Sequence, residues 1–219
     1  MKTYKIAFLL ISVLFFSFLN TSCSDSSPLI GTVNATLIYN FETETSPYEQ
    51  YLSIFIKAAS DDRRVDKMKV TFTEMDYEWF IDEPEQVKAA KNVYFGSSKL
   101  FFPGKGCFEG GTYTVSFSDL ASRETEQNFE VKPLESMKNT DGKFVRSRDV
   151  VSGKAGSECS LKRVILFDKD GKELYCGLYS FMFENKTELL ENFPTAGSYQ
   201  IYFVNRDYSC AIFLPKQKI

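Results

Sequence analysis

The 219-residue chain contains no histidine. That absence removes imidazole from every chemical role it fills elsewhere. Ser-His-Asp and Cys-His nucleophilic catalysis, helical His-Glu-x-x-His zinc sites and switching near neutral pH are all excluded. An excess of basic residues is missing too: 26 Lys and Arg stand against 29 Asp and Glu, for a net charge of −3. The uniform basic face that nucleic acid requires is therefore not expected. Long apolar runs are lacking as well. The longest, Ile6 to Leu19, is interrupted by Ser12 and Ser17 and falls short of the roughly 20 residues a membrane helix needs. The cysteines other than Cys23, namely Cys107, Cys159, Cys176 and Cys210, follow no metal-ligand spacing. Neither a metal nor a cofactor is expected.

The N-terminus carries an export pattern. Lys2 and Lys5 precede the apolar run, and small residues lead to a cysteine in Asn20-Thr21-Ser22-Cys23. Positive charge, apolar run and small residues before cysteine resemble the signal of a bacterial lipoprotein. The resemblance implies a signal peptide over 1–22, lipidation at Cys23, a short tether over 23–30 and a place in the cell envelope. Attachment to the membrane would then run through N-terminal acyl chains.

Beyond the tether the dominant signal is alternation. Ala35, Leu37, Tyr39 and Phe41 alternate with polar residues, as do Leu52, Ile54, Ile56 and Ala58. Met68, Val70 and Phe72 repeat the pattern, followed by Tyr113, Val115 and Phe117, then Phe129 and Val131. A period of two puts one side of each run on a core and the other in water. In the second half, Phe144–Val151 reads as a weaker strand. Arg163–Phe167 and Lys172–Phe181 flank an Asp-Gly hairpin turn, and Tyr199, Ile201 and Phe203 alternate before a last strand near Cys210–Leu214. Short helices are expected only at Glu85–Lys91, behind Pro84, and at Thr187–Glu191. Many short strands and few helices point to an all-β sandwich.

The halves also resemble each other. Phe102-Pro103 followed by Gly111-Thr112-Tyr113-Thr114-Val115-Ser116-Phe117 parallels Phe193-Pro194 followed by Gly197-Ser198-Tyr199-Gln200-Ile201-Tyr202-Phe203. Upstream, Lys69-Val70-Thr71-Phe72 parallels Arg163-Val164-Ile165-Leu166. The Gly-x-Tyr-x-Val/Ile-x-Phe run resembles the penultimate strand of immunoglobulin-like and fibronectin type III-like domains. The resemblance implies two tandem immunoglobulin-like β-sandwich domains, over 31–134 and 140–219, with the pattern broken between Lys132 and Gly142. It also implies a structural role for Tyr113 and Tyr199, whose hydroxyls would bond back to the chain at a sandwich corner. One larger β domain is the alternative.

Few residues invite a functional reading. Tyr77, Trp79, Asp82 and Glu83 are candidate ligand contacts, with rings for the apolar face of a sugar and carboxylates for its hydroxyls. The competing outcome is packing, in a strand with Tyr77 and Trp79 on one face and Glu78 and Phe80 on the other. Asp168-Lys169-Asp170-Gly171-Lys172-Glu173 starts like a calcium loop but is flanked by strand patterns, and reads as a hairpin turn. Among Cys159, Cys176 and Cys210 one disulfide is expected, with its pairing open and buried free thiols as the alternative. Cys107, without a histidine to activate it, reads as structural. These features lead to the expectation of a non-catalytic, lipid-anchored binding protein with a protein or glycan ligand. The alternatives are an accessory subunit of an envelope complex and, further off, a carbohydrate-active enzyme.

Overall fold

Alternation becomes strand wherever the sequence shows it cleanly. In the computed structural model, which describes residues 28–59, 65–103, 106–138 and 144–219, these strands form two sheets that face each other. The expected export segment, Cys23 and most of the expected tether lie outside the described residues. So do the turn at Ser60, Asp61 and Asp62, Gly104 and Lys105, and the pattern-breaking Asn139, Asp141 and Gly142.

In chain order the strands of the first half are β1 (Ile30–Asn40), β2 (Glu49–Ala58), β3 (Val65–Phe72), β4 (Tyr77–Ile81), β5 (Glu85–Ala89), β6 (Asn92–Phe101), β7 (Gly111–Asp119) and β8 (Glu124–Val131). The second half contributes β9 (Leu161–Asp168), β10 (Glu173–Leu178), β11 (Ala196–Val204), β12 (Cys210–Phe213) and the short β13 (Gln217–Lys218). One sheet has the order β4-β3-β7-β8. The other has nine strands, ordered β10-β9-β11-β12-β1-β2-β6-β5, with β13 also paired to β11. Leu37, Leu52, Ile54 and Ile56 of the large sheet meet Val70, Phe72, Tyr113, Val115 and Phe117 of the small one, all buried, to form the main core.

The second half does not form a sandwich of its own, contrary to the expectation of two tandem units. Its strands all join the sheet that the first half begins. The junction is a parallel pairing of β1 with β12, running from Leu37 opposite Cys210 to Asn40 opposite Phe213. The physical reason is a shortage of strand-forming sequence: within 140–219 clean alternation begins only at Leu161, so these residues supply one layer. Helix α2 (Lys186–Asn192) and the 3-10 turn Phe181–Glu184 close that layer, with Leu189 and Phe183 packed on Val164 and Leu166. The similarity between the halves nonetheless has a counterpart in pairing. The order β10-β9-β11-β12 repeats β4-β3-β7-β8, and Val164 faces Ile201 as Val70 faces Val115.

Three local expectations change. Glu85–Lys91 is no helix: Glu85–Ala89 is an exposed edge strand against β6, with Gln86 opposite Phe95. Glu85 anchors it by accepting hydrogen bonds from the Ser98 amide and hydroxyl, both at 2.9 Å. Phe144–Val151 is no strand: Ser147–Val151 forms the short helix α1, started by the Arg146 amide donating to the Asp149 carboxylate at 3.0 Å. Tyr199 is not a corner tyrosine, because its hydroxyl bonds to Gln217 on β13. Tyr113 does bond back to the chain, donating to the Glu109 carbonyl at 3.1 Å. Helix α2 lies where expected, and Asn185 caps it by accepting from the Thr187 and Glu188 amides.

Candidate functional site

Strand β4 places the residues proposed as ligand contacts on different surfaces. Trp79 is buried and turned into the core. Its ring stacks on Phe108 at 5.4 Å, and its indole N–H donates to the Phe101 carbonyl at 2.8 Å. Tyr77 packs edge-on against Phe102. Asp82 and Glu83 lie exposed in the following turn, with the Asp82 carboxylate 3.9 Å from the Lys67 ammonium. Rings and acids therefore do not converge on one surface. Asp168–Glu173 is a hairpin turn in which the Asp168 carboxylate accepts from the Asp170 and Lys172 amides at 2.9 and 2.8 Å, while Gly171 takes a left-handed φ of 84°. Asp119 is spent in the same way. Its buried carboxylate takes the Arg123 guanidinium at 2.6 Å, and that contact, first among several, holds its pKa below the usual carboxylate range.

The expected disulfide does not form: Cys159, Cys176 and Cys210 are free thiols. Cys176 lies on edge strand β10, three strands from Cys210 on β12. At about 4.8 Å per strand this separation exceeds the reach of a disulfide. Cys159 and Cys210 are buried neighbours, but each thiol is directed at a carbonyl, that of Cys210 at 3.7 Å and that of Lys132 at 3.2 Å respectively. Burial pushes both thiols from an ordinary 9.0 up to about 12. In the unfolded chain they ionise near the ordinary value, in the folded chain near 12. Their contribution is thus intact below about pH 9 and lost as pH rises from there towards 12. Denaturant titrations across that range are expected to show stability falling with pH. The fall should be shallower for Cys159→Ala and Cys210→Ala, each referenced to its own stability at neutral pH.

The structure brings together a different group of residues at the far end of β1. A cavity of about 610 Å³ opens there between the β1–β2 connection, the loop before β7 and the segment after β8. Tyr39 and Tyr48 form one wall, their rings edge-on at 5.1 Å. Phe108 lines a second side, and Pro133, Leu134 and Met137 a third. The wall positions are fixed by hydrogen bonds. The Leu134 amide donates to the Tyr39 hydroxyl at 2.8 Å, and the Tyr48 hydroxyl donates to the Met137 carbonyl at 2.7 Å. The Phe108 amide donates to the Gln50 side chain at 2.7 Å. Burial raises Tyr39 well above the ordinary phenol range and Tyr48 to about 12, so both stay neutral hydroxyls at physiological pH.

Charges stay at the rim. Glu135 is exposed and paired with Lys138 at 2.7 Å, Glu109 is exposed, and Cys107 presents an exposed thiol. A half-open cavity of this size, lined in comparable measure by apolar rings and by polar groups, has the dimensions of a small-molecule pocket. Among the described residues no group of three or more Cys, Asp and Glu side chains is placed to hold a metal ion. Of the cavity's residues, Cys107 alone is weighed in the sequence for reactivity; it reads there as structural, whereas the fold leaves its thiol exposed. The others are drawn from positions as far apart as Tyr39 and Lys138, and no local pattern marks their convergence. No protein family, curated protein or solved structure matches the chain.

Proposed function

We propose that this chain is a lipid-anchored binding protein of the bacterial envelope, without catalytic activity, that holds an amphipathic ligand in the cavity at the end of β1. The observation that carries the reading is the cavity itself: about 610 Å³, walled by Tyr39, Tyr48, Phe108 and Met137, with charge only at its mouth. Its position suits a tethered receptor. The tether enters at Ile30 and Tyr39 lies nine residues further along the same strand, about 30 Å away at some 3.3 Å per residue. The mouth would then face away from a membrane that holds Cys23.

The first half supports an immunoglobulin-like reading. Its order β1-β2-β6-β5 against β4-β3-β7-β8 corresponds to an A-B-E-D sheet facing a C′-C-F-G sheet. Tyr113 then occupies the corner position at the start of the F strand, and its hydroxyl reaches a carbonyl four residues upstream. In this reading the second half repeats only the C′-C-F-G sheet and is docked on β1 by β12.

Two measurements test the proposal. Metabolic labelling with palmitate is expected to mark the wild-type protein and not Cys23→Ala, which should leave the membrane fraction. The dye anilinonaphthalene sulfonate is expected to bind the purified protein saturably, with binding lost after Cys107 carries a bulky maleimide. Palmitate retained by Cys23→Ala would refute the anchor. Dye binding indifferent to the Cys107 adduct would refute the cavity as the binding site.

A further inference from the structure

The large sheet has a second concavity, on the face turned away from the core. Side chains on that face alternate with those already described. Ile38 points outward between Leu37 and Tyr39, Tyr51 lies opposite Ile38, and Tyr202 and Phe213 follow on β11 and β12. These residues form a small apolar cluster of their own. Tyr202 and Phe213 stack face to face at 4.8 Å, and Tyr51 meets Phe101 at 5.7 Å. At the edge of the cluster is an open depression of about 490 Å³. Tyr51 and Phe213 form its apolar floor, Asn40 and Gln200 contribute carboxamides, and Lys99 and Lys216 stand on its sides.

The two lysines distinguish this depression from ordinary surface. Both are exposed, and neither ammonium group makes an ion pair or hydrogen bond with any described residue. Each is held over a ring instead: the Lys99 ammonium lies 5.4 Å from the Tyr51 centroid, and the Lys216 ammonium 3.7 Å from that of Phe167. Cation–π contact orients an ammonium without neutralising it. The one acid on the rim, Glu42, leaves the lined surface with an excess of one positive charge, on a chain whose net charge is −3. Gln200 donates one amide hydrogen to the Leu214 carbonyl at 2.9 Å, which fixes its plane and leaves its oxygen and second N–H available.

We infer that this depression is a binding site for an acidic saccharide, a sugar unit bearing a carboxylate. The ring floor matches the apolar face of a pyranose, the carboxamides match its paired hydroxyls, and the unpaired ammonium groups match its carboxylate. Electrostatics selects the acidic class: the lysines offer donors and charge that a neutral sugar leaves unused. The site is on the opposite face of the sheet from the cavity lined by Tyr39 and Tyr48, and it depends neither on that cavity nor on anchoring. Its failure would therefore leave the proposed function standing.

The test is calorimetric titration of the full chain in detergent with three probes: a galacturonate trimer, a glucuronate-containing chondroitin tetrasaccharide and neutral maltotetraose. At least one acidic probe is expected to bind, maltotetraose is not, and added salt should weaken the interaction. Lys99→Gln and Lys216→Gln are each expected to weaken binding about tenfold, as the loss of one charge-assisted contact would. Both lysines are exposed, so the variants should melt as wild type does. Absence of binding by both acidic probes would overturn the inference. Equal binding of maltotetraose would do the same, as would affinity unchanged in the double lysine variant.

Discussion

Replacing Gly96 by alanine is expected to destabilise the protein by about 3 kcal/mol or more. Gly96 lies in β6 opposite Phe55 of β2, next to the register shift between Leu52 and Ile54. A methyl group at this position would stand 1.9 Å from the carbonyl oxygen of Ile54 and 2.8 Å from the Cα of Phe55. Those are backbone atoms of a paired neighbour, so no side chain can rotate away to make room. Relief would require β6 to separate from β2, one strand in from the β5 edge of the large sheet, where Ile54 and Ile56 enter the main core. The cost therefore combines steric strain, broken ladder hydrogen bonds and loosened packing. Urea unfolding of Gly96→Ala checks it, with Lys88→Ala on the exposed edge strand as a control expected within about 0.5 kcal/mol of wild type. A Gly96→Ala protein as stable as the control would mean that β2 and β6 do not approach this closely.

How much of this was legible beforehand depends on how locally each feature is encoded. β1, β2, β3 and β7 show clean alternation because one of their faces meets the core and the other meets water or a partly filled outer face. β6 does not, because the strand irregularity near Gly96 breaks the period of two. β5 departs from the expected helix for a related reason: every residue of Glu85-Gln86-Val87-Lys88-Ala89 is exposed, so no burial pattern marks it as a strand, and most of its residues favour helix when isolated. Its strand state comes from pairing with β6, which no local signal announces. The division into two sandwiches failed at a long-range contact. Leu37 and Cys210 are neighbours across a parallel pair, and alternation specifies which face a residue takes without specifying its partner strand.

The candidate sites follow the same division. Cys107 stands out in the sequence only as a lone thiol that reads as structural, and the cavity beside it arises from bonds such as Tyr48 to Met137, 89 positions apart. The outer depression joins Lys99 of β6 to Lys216 beyond β12, which nothing in the spacing of either lysine suggests. Of the three cysteines among which one disulfide is expected, Cys159 and Cys210 do become buried neighbours, yet their thiols stay free. Whether they bridge or stay apart is decided by side-chain direction, which lies below the resolution of sequence spacing.

Trp79→Ala is expected to cost about 3–5 kcal/mol, and it separates the two readings of the aromatic strand. The ring is only 8% exposed and is bounded by Phe108 in a near-parallel stack at 5.4 Å and by Phe102 at 5.9 Å. Truncation removes these contacts, opens a space that a two-sheet core closes poorly, and orphans the Phe101 carbonyl that now accepts the indole hydrogen. Trp79→Phe keeps a ring in the stack but still loses the hydrogen bond, so it should cost less, about 1–3 kcal/mol. A ligand-stacking tryptophan would behave in the opposite way, because removing an exposed ring spares the fold and abolishes binding. Urea unfolding followed by circular dichroism measures the stability of both variants, since Trp79 is the chain's one tryptophan and its own fluorescence is lost with it. Binding of the acidic oligosaccharides by folded Trp79→Phe should match wild type, because the outer depression draws on neither face of β4. A stable Trp79→Ala protein would place the ring outside the core and return β4 to consideration as a ligand platform.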